Sequence, residues 1–224
     1  MFTTLQELPI LMGMGKQDML RMVELVKLDF KKYSAGTTFI TQGDRCDRLI
    51  YVLSGEVCTE RRGDSGSWII SEYLTNTPVM LEAENLWGMS QRFLHSYTMT
   101  ADGGVCSIEK QQLGSLIANY DVVRTNMLGY ICNKLERTRK LLFSPPPTDS
   151  REKLLKWLQI NCLTTSGKKV VHVRMDDLAA LIADTRLNVS RVLNAWKDQG
   201  AVEIKRGFFV IKDMEQLFVK KETL

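Results

Sequence analysis

Arg174–Ile211, RMDDLAALIADTRLNVSRVLNAWKDQGAVEIKRGFFVI, is the stretch that decides the fold of this chain. Leu178, Leu181 and Ile182 recur at helical spacing, so Met175–Ile182 reads as a short amphipathic helix. Ala183-Asp184 is a tight turn. Thr185 is placed to cap the next helix, because its hydroxyl accepts from an amide that has no partner inside that helix. Val189, Leu193 and Trp196 give the second helix its apolar face, and Gly200 stops it. Two short apolar runs follow, Ala201–Ile204 and Phe208–Ile211, joined by Lys205-Arg206-Gly207. Gly207 supplies the positive φ that a hairpin turn needs, so the segment ends in a β-hairpin with a basic tip. Helix, turn, helix and basic wing is a geometry that docks on duplex DNA.

The chemistry lies on the residues left over. Arg186, Leu187, Asn188, Ser190, Arg191 and Asn194 point away from the apolar face of the second helix, whose start is capped by Thr185. A recognition helix presents its N-terminal residues to base edges, where Arg suits guanine and Asn suits adenine. Ser190 and the wing residues Lys205 and Arg206 suit phosphates, which set register without reading sequence.

The whole chain has 224 residues and a net charge of +4, enough length for two domains with separate cores. The excess charge is localised. From Ser144 onward there are 14 Lys and Arg against 10 Asp and Glu, and the remainder is balanced at 16 of each. The segment assigned to DNA therefore carries all of the excess, as phosphate contacts require. Five scattered cysteines (Cys46, Cys58, Cys106, Cys132 and Cys162) with no CxxC argue against a disulfide framework or a zinc site and for buried thiols. With no long apolar run and no leader pattern, no membrane association is expected and the protein is expected to be cytoplasmic.

Gln112–Asn119 reads as a short helix and is followed by a long one. On the latter Leu128, Ile131, Leu135, Thr138 and Leu142 step by three and four, a coiled-coil seam that predicts a homodimer. Val122, Val123 and Met127 give it a second apolar face. Ser144-Pro-Pro-Pro-Thr148 breaks the helix, and Asp149 with Glu152 has capping-box spacing for a further helix over Ser150–Asn161. Between Tyr33 and Ile108, seven short apolar runs alternate with turn signals: Thr37–Ile40, Leu49–Leu53, Glu56–Thr59, Trp68–Leu74, Pro78–Leu81, Thr98–Ala101 and Val105–Ile108. That spacing predicts a sandwich or jelly roll. A helix over Lys16–Leu28 precedes it, with Met19, Met22, Val23 and Val26 on one side as core filling. The class is α+β: an N-terminal jelly-roll barrel (1–110), a dimerisation helix (111–143) and a winged helix-turn-helix (144–224).

This order resembles the Crp/Fnr family of bacterial transcription regulators. Gly36, Gln42-Gly43-Asp44 and the run Leu49–Val57 (LIYVLSGEV) carry the likeness in the barrel. Thr185, Val189, Ser190, Arg191 and Asp198-Gln199-Gly200 carry it in the DNA domain. The resemblance implies a homodimer on near-palindromic promoter DNA that contacts RNA polymerase. It also implies base reading by Arg191, with Ser190 matching a residue some members use. Leu187 stands where the family usually has a glutamate, which would accept from cytosine.

The sensor departs further from the family pattern. In the stretch Leu86–Tyr97, the cyclic-nucleotide branch would have a Gly-Glu pair and an Arg-Ser/Thr-Ala triplet. Here Gly88 is followed by Met89, and His95-Ser96-Tyr97 replaces the triplet. A buried phosphate needs a compensating cation or several amides, and Arg92 alone stands nearby. The expected effector pocket of Trp87, Gly88, Met89, Arg92, His95, Ser96 and Tyr97 is therefore not one for cyclic AMP. Another small-molecule effector remains open, as does haem ligated by His95, Met89 or a cysteine, or a cyclic-nucleotide response through Arg92. The cofactor is thus undetermined. A cupin-like metalloenzyme would need several converging His, and only His95 and His172 exist. Neither catalytic nor metal-binding residues are expected.

Overall fold

The computed structural model describes residues 5–218. Packing divides the chain into two units. One gathers the residues up to Cys58 with Leu74–Arg139, and the other gathers Thr59–Tyr73 with the chain from Lys140 onward.

In the first unit a helix over Lys16–Leu25 buries Met19 and Met22, as its spacing predicts. Eight strands follow along the chain, most of β4 and of β5 belonging to the second unit: β1 (Asp29–Tyr33), β2 (Thr38–Ile40), β3 (Arg48–Ser54), β4 (Val57–Arg62), β5 (Trp68–Leu74), β6 (Val79–Leu81), β7 (Ser96–Met99) and β8 (Gly103–Glu109). An antiparallel sheet is ordered β1-β8-β3-β6, and β2 pairs antiparallel with β7 outside that sheet. Leu49–Ser54 of the LIYVLSGEV run lies in β3, one of the two inner strands of that sheet, and Leu49, Tyr51 and Val52 are wholly buried there. Gly55 (φ +90°) and Gly103 lie against each other, and a Cβ on Gly103 would stand 2.3 Å from the Ser54 carbonyl oxygen. Glycine at both positions allows the two backbones to touch. β1 was absent from the sequence reading. Its DFKKY has no buried alternation, and it is an edge strand held by its pairing to β8.

After Lys110–Asn119, the long helix runs over Asp121–Leu142. Val123 and Met127 are buried, and Asn126 Nδ2 donates to the carbonyls of Ile10 (3.2 Å) and Met12 (2.8 Å). This face is thereby docked on its own unit. Among the described residues, no helix is long and apolar enough to cross a membrane.

The second unit contains the helix Ser150–Asn161, β9 (Lys169–Val173), the helices Met175–Leu181 and Arg186–Asp198, and the wing strands β10 (Val202–Lys205) and β11 (Phe208–Ile211). Asp149 Oδ1 caps the first helix through the Glu152 amide (2.7 Å), while the Glu152 carboxylate accepts from the Thr148 amide and hydroxyl. The sequence boundary at residue 110 placed Thr59–Tyr73 in the barrel. In the structure β5 pairs antiparallel with β9, giving the sheet order β4-β5-β9-β11-β10. Ile70, Val171, Phe209 and Ile204 form one cross-strand row. The first three are buried in a core with Leu154, Leu178, Val189, Leu193 and Trp196. Trp68 meets Trp157 edge-on at 5.5 Å between centroids. β9 also escaped the sequence reading, because Lys169 opens it. That lysine is fully buried and pairs with Glu72 of β5 at 2.6 Å.

Candidate functional site

Thr185 caps the recognition helix, with its hydroxyl accepting from the Asn188 amide at 3.3 Å. Val189, Leu193 and Trp196 bury one side of the helix, and the opposite side is where the sequence placed the DNA contacts. Leu187, Ser190, Arg191 and Asn194 fall at i, i+3, i+4 and i+7, so they share a stripe. Leu187 is 60 % exposed, and Arg191 is exposed without hydrogen bond or ion pair to any described residue. Asn194 Nδ2 donates to Ser190 Oγ at 3.3 Å.

Two of the expected base readers are engaged elsewhere. The Arg186 guanidinium pairs with Asp176 at 3.4 Å, and Asn188 Nδ2 donates to Asp184 Oδ1 at 2.8 Å. Asp184, which the sequence reading treats only as part of a turn, positions the start of this helix. Its carboxylate also accepts from Ser150 Oγ (2.8 Å), the Thr185 amide (2.7 Å) and Lys153 Nζ (3.3 Å). Hydrogen bonds from Asn188, Ser150 and the Thr185 amide hold it well below the usual carboxylate range. Asp184 thus ties the start of the recognition helix to the helix at Ser150–Asn161. The signal was there in sequence, an Asp directly before an N-cap Thr, but its partners lie 34 and 31 residues away.

The wing presents Lys205 and Arg206 at its tip, both exposed. Lys205 Nζ sits 5.7 Å from the Phe208 ring centroid, and Gly207 turns the hairpin at φ +85°. Lys205 and Arg206 thus put two positive charges at the exposed turn of the hairpin.

The sensor residues do not come together as the sequence reading expected. Met89 is fully exposed, Trp87 is 45 % exposed, and Lys110 Nζ lies over its ring. Arg92 is exposed and its Nη1 donates to the Gly43 carbonyl at 2.7 Å. Ser96 Oγ accepts from the Gln42 amide, and Gly88 lies against the Glu84 and Asn85 backbone. Only His95 and Tyr97 converge, and they converge on Glu82, which the sequence reading missed. Glu82 is buried at φ +39°. Its carboxylate accepts from the amides of Leu94 (2.7 Å) and His95 (3.1 Å), and from Tyr97 Oη (2.9 Å) and Asn85 Nδ2 (2.7 Å). It also contacts His95 Nδ1 at 2.7 Å. Burial pushes this carboxyl up, but the bonds from His95, Leu94 and Tyr97 outweigh it and hold it below its ordinary value. The buried carboxylate of this segment is therefore Glu82, saturated from within the protein. A cleft of about 200 Å³ opens elsewhere in this unit, lined by Tyr33, Phe39, Arg48 and Ile50 among others. None of the seven expected pocket residues lines it.

A helix-turn-helix with a free arginine on its exposed stripe and a basic wing defines a DNA-binding protein. Residues 30–120 match the family model of the cyclic nucleotide-binding domain, and residues 152–218 match that of the Crp-like helix-turn-helix domain. The chain belongs to the Crp/Fnr family and is a DNA-binding transcriptional regulator. It is 24% identical over 200 residues to the CRP-like cAMP-activated global transcriptional regulator of Mycobacterium tuberculosis, covering 87% of each chain. Among solved structures, the sensor domain of the transcriptional regulator DNR from Pseudomonas aeruginosa superposes with TM-score 0.51 at 11% identity. That match covers 66% of this chain and 94% of that one, a likeness of fold. The catabolite activator protein of Thermus thermophilus gives TM-score 0.48 at 21% identity, covering 93% and 96%.

Proposed function

We propose that the chain is a sequence-specific regulator, acting in the cytoplasm as a homodimer on near-palindromic promoter sites and contacting RNA polymerase there. The carrying observation is the exposed stripe of the recognition helix, with Arg191 free to pair with guanine while Asn188 is bonded to Asp184 and Arg186 rests in an exposed pair with Asp176. Lys205 and Arg206 set register on phosphates. The three-part division stands in this reading, barrel as sensor, long helix as dimer contact and 144–224 as DNA reader, with Thr59–Tyr73 moved to the last part. Dimerisation is supported by Leu128, Ile131, Leu135 and Leu142, which are 57 %, 37 %, 57 % and 63 % exposed on one seam. Thr138, also on the seam, bonds to its own helix at the Lys134 carbonyl. An apolar stripe of that size on a water-facing helix is accounted for by a second copy.

The barrel is not a cyclic AMP sensor in this proposal. Met89 supplies no charge for a ribose, the oxygens of Glu82 already accept from five groups of the protein, and among the described residues no cation is paired with Glu82 except His95. A smaller, less anionic effector fits the chemistry better. The test of the reading is DNA titration at fixed salt: Arg191→Ala should cost about 1–3 kcal/mol and relax preference at one base pair per half-site. Unchanged affinity and unchanged preference would refute it.

A further inference from the structure

The first turn of the recognition helix holds three long side chains, and two of them are held by the protein. Arg186 is paired with Asp176 and Asn188 with Asp184. Leu187 between them is left 60 % exposed and is not part of the hydrophobic core of its unit. It heads the stripe that continues through Ser190, Arg191 and Asn194. Along the major groove the one apolar group on a base edge is the C5-methyl of thymine. We infer that Leu187 reads thymine, its side chain packing on that methyl group. The inference rests on the proposal that this helix enters the major groove, and it deepens that proposal by naming a base. No hydrogen bond is available to a leucine, so discrimination comes from removing the methyl group and the side chain from water together. The position also constrains the site. Leu187 and Arg191 are four residues apart, about 6 Å along the helix. Base pairs are spaced about 3.4 Å apart, so the thymine should lie about two base steps from the guanine paired with Arg191.

The experiment uses the full chain. Bound duplexes are selected from a random pool, with and without the small-molecule fraction of a bacterial extract. Each thymine of the selected site is then replaced singly by deoxyuridine, which removes only the methyl group. At one thymine per half-site the wild type should lose about three- to fivefold in affinity, the worth of one buried methyl group. Leu187→Ala should bind the thymine and deoxyuridine duplexes equally, and Leu187→Met, still apolar and long, should keep the discrimination. If the chain selects a site and depends on Arg191, yet every deoxyuridine costs the wild type no more than it costs Leu187→Ala, this assignment is overturned and the DNA reading stands. If no sequence is selected under either condition, both are overturned.

Discussion

Replacing Lys169 by methionine should remove a large share of the stability of the second unit. The Lys169 ammonium is buried with its side chain 1 % exposed, as is the carboxylate of Glu72. Its three N–H donors go to Glu72 Oε2 (2.6 Å), Thr164 Oγ1 (2.6 Å) and the Ser166 carbonyl (2.7 Å). Glu72 in turn accepts from the amides of Leu163 and Thr164. Removing the cation leaves a buried carboxylate compensated by two amides and a hydroxyl. Such single truncations cost about 3–5 kcal/mol, against a total of about 5–15 kcal/mol for a domain. Replacing both partners by methionine removes the uncompensated charge, so the double variant should be more stable than Lys169→Met alone. It should still fall short of the wild type, because the amides at 163 and 164 lose their acceptor. The assay is urea unfolding followed by tryptophan fluorescence. Trp68, Trp157 and Trp196 all lie in this unit and only Trp87 lies outside it, so the signal reports the part of the chain that is perturbed. A loss below about 1 kcal/mol in Lys169→Met, or additive effects in the two single variants and the double, would refute the reasoning.

Other expectations follow from the same geometry. Arg206→Ala should weaken binding to all DNA sequences alike and lower the slope of log affinity against log salt by about 1, as read from titrations at several salt concentrations; a change confined to one sequence would contradict a phosphate role. Ile131→Glu should put an unpaired charge in the seam and give a monomer in analytical ultracentrifugation; a variant that stays dimeric at micromolar concentration would count against the long helix as the contact. Glu82 has a folded pKa below its unfolded one, so its contribution is whole above about pH 4.3 and is lost as pH falls through the lower folded value. Glu82→Gln should therefore flatten the acid limb of a melting-temperature profile below about pH 4.3, and an unchanged limb would show that the carboxylate is not the group lost. Calorimetry with cyclic AMP at tens of micromolar should show no saturable heat, and saturable binding would mean that the bonds around Glu82 open to admit a ribose.

The DNA-binding half was largely legible because its information is local. Thr185, Val189, Leu193, Trp196, Gly200 and Gly207 each act within one turn of helix or hairpin, and each stands where cap, period or positive φ demands it. What escaped is what depends on partners far along the chain. A short apolar run between turn signals marks Trp68–Leu74 as a strand but does not say which sheet takes it, and the deciding partners, Lys169–Val173, lie about a hundred residues on. Lys169 at the head of KVVHV reads as a strand boundary, because a lysine is rarely buried unless something pairs with it. Its partner Glu72 sits 97 residues earlier in a strand whose other residues look ordinary. Glu82 was missed for the same reason at shorter range: its carboxylate is explained by His95 and Tyr97, 13 and 15 residues away, while the reading looked for a carboxylate beside Gly88. Two buried carboxylates thus take partners from distant segments, and each does so where a rule of apolar pattern is broken. A buried charge is tolerated only where the chain brings several donors to it. The cluster around Glu82 fixes the 82–97 segment of the barrel in one conformation, and the Glu72–Lys169 pair fixes the register in which β5 joins the sheet that ends in the wing. A slip of one residue in that register would turn Lys169 away from Glu72 and Val171 away from Ile70 at once.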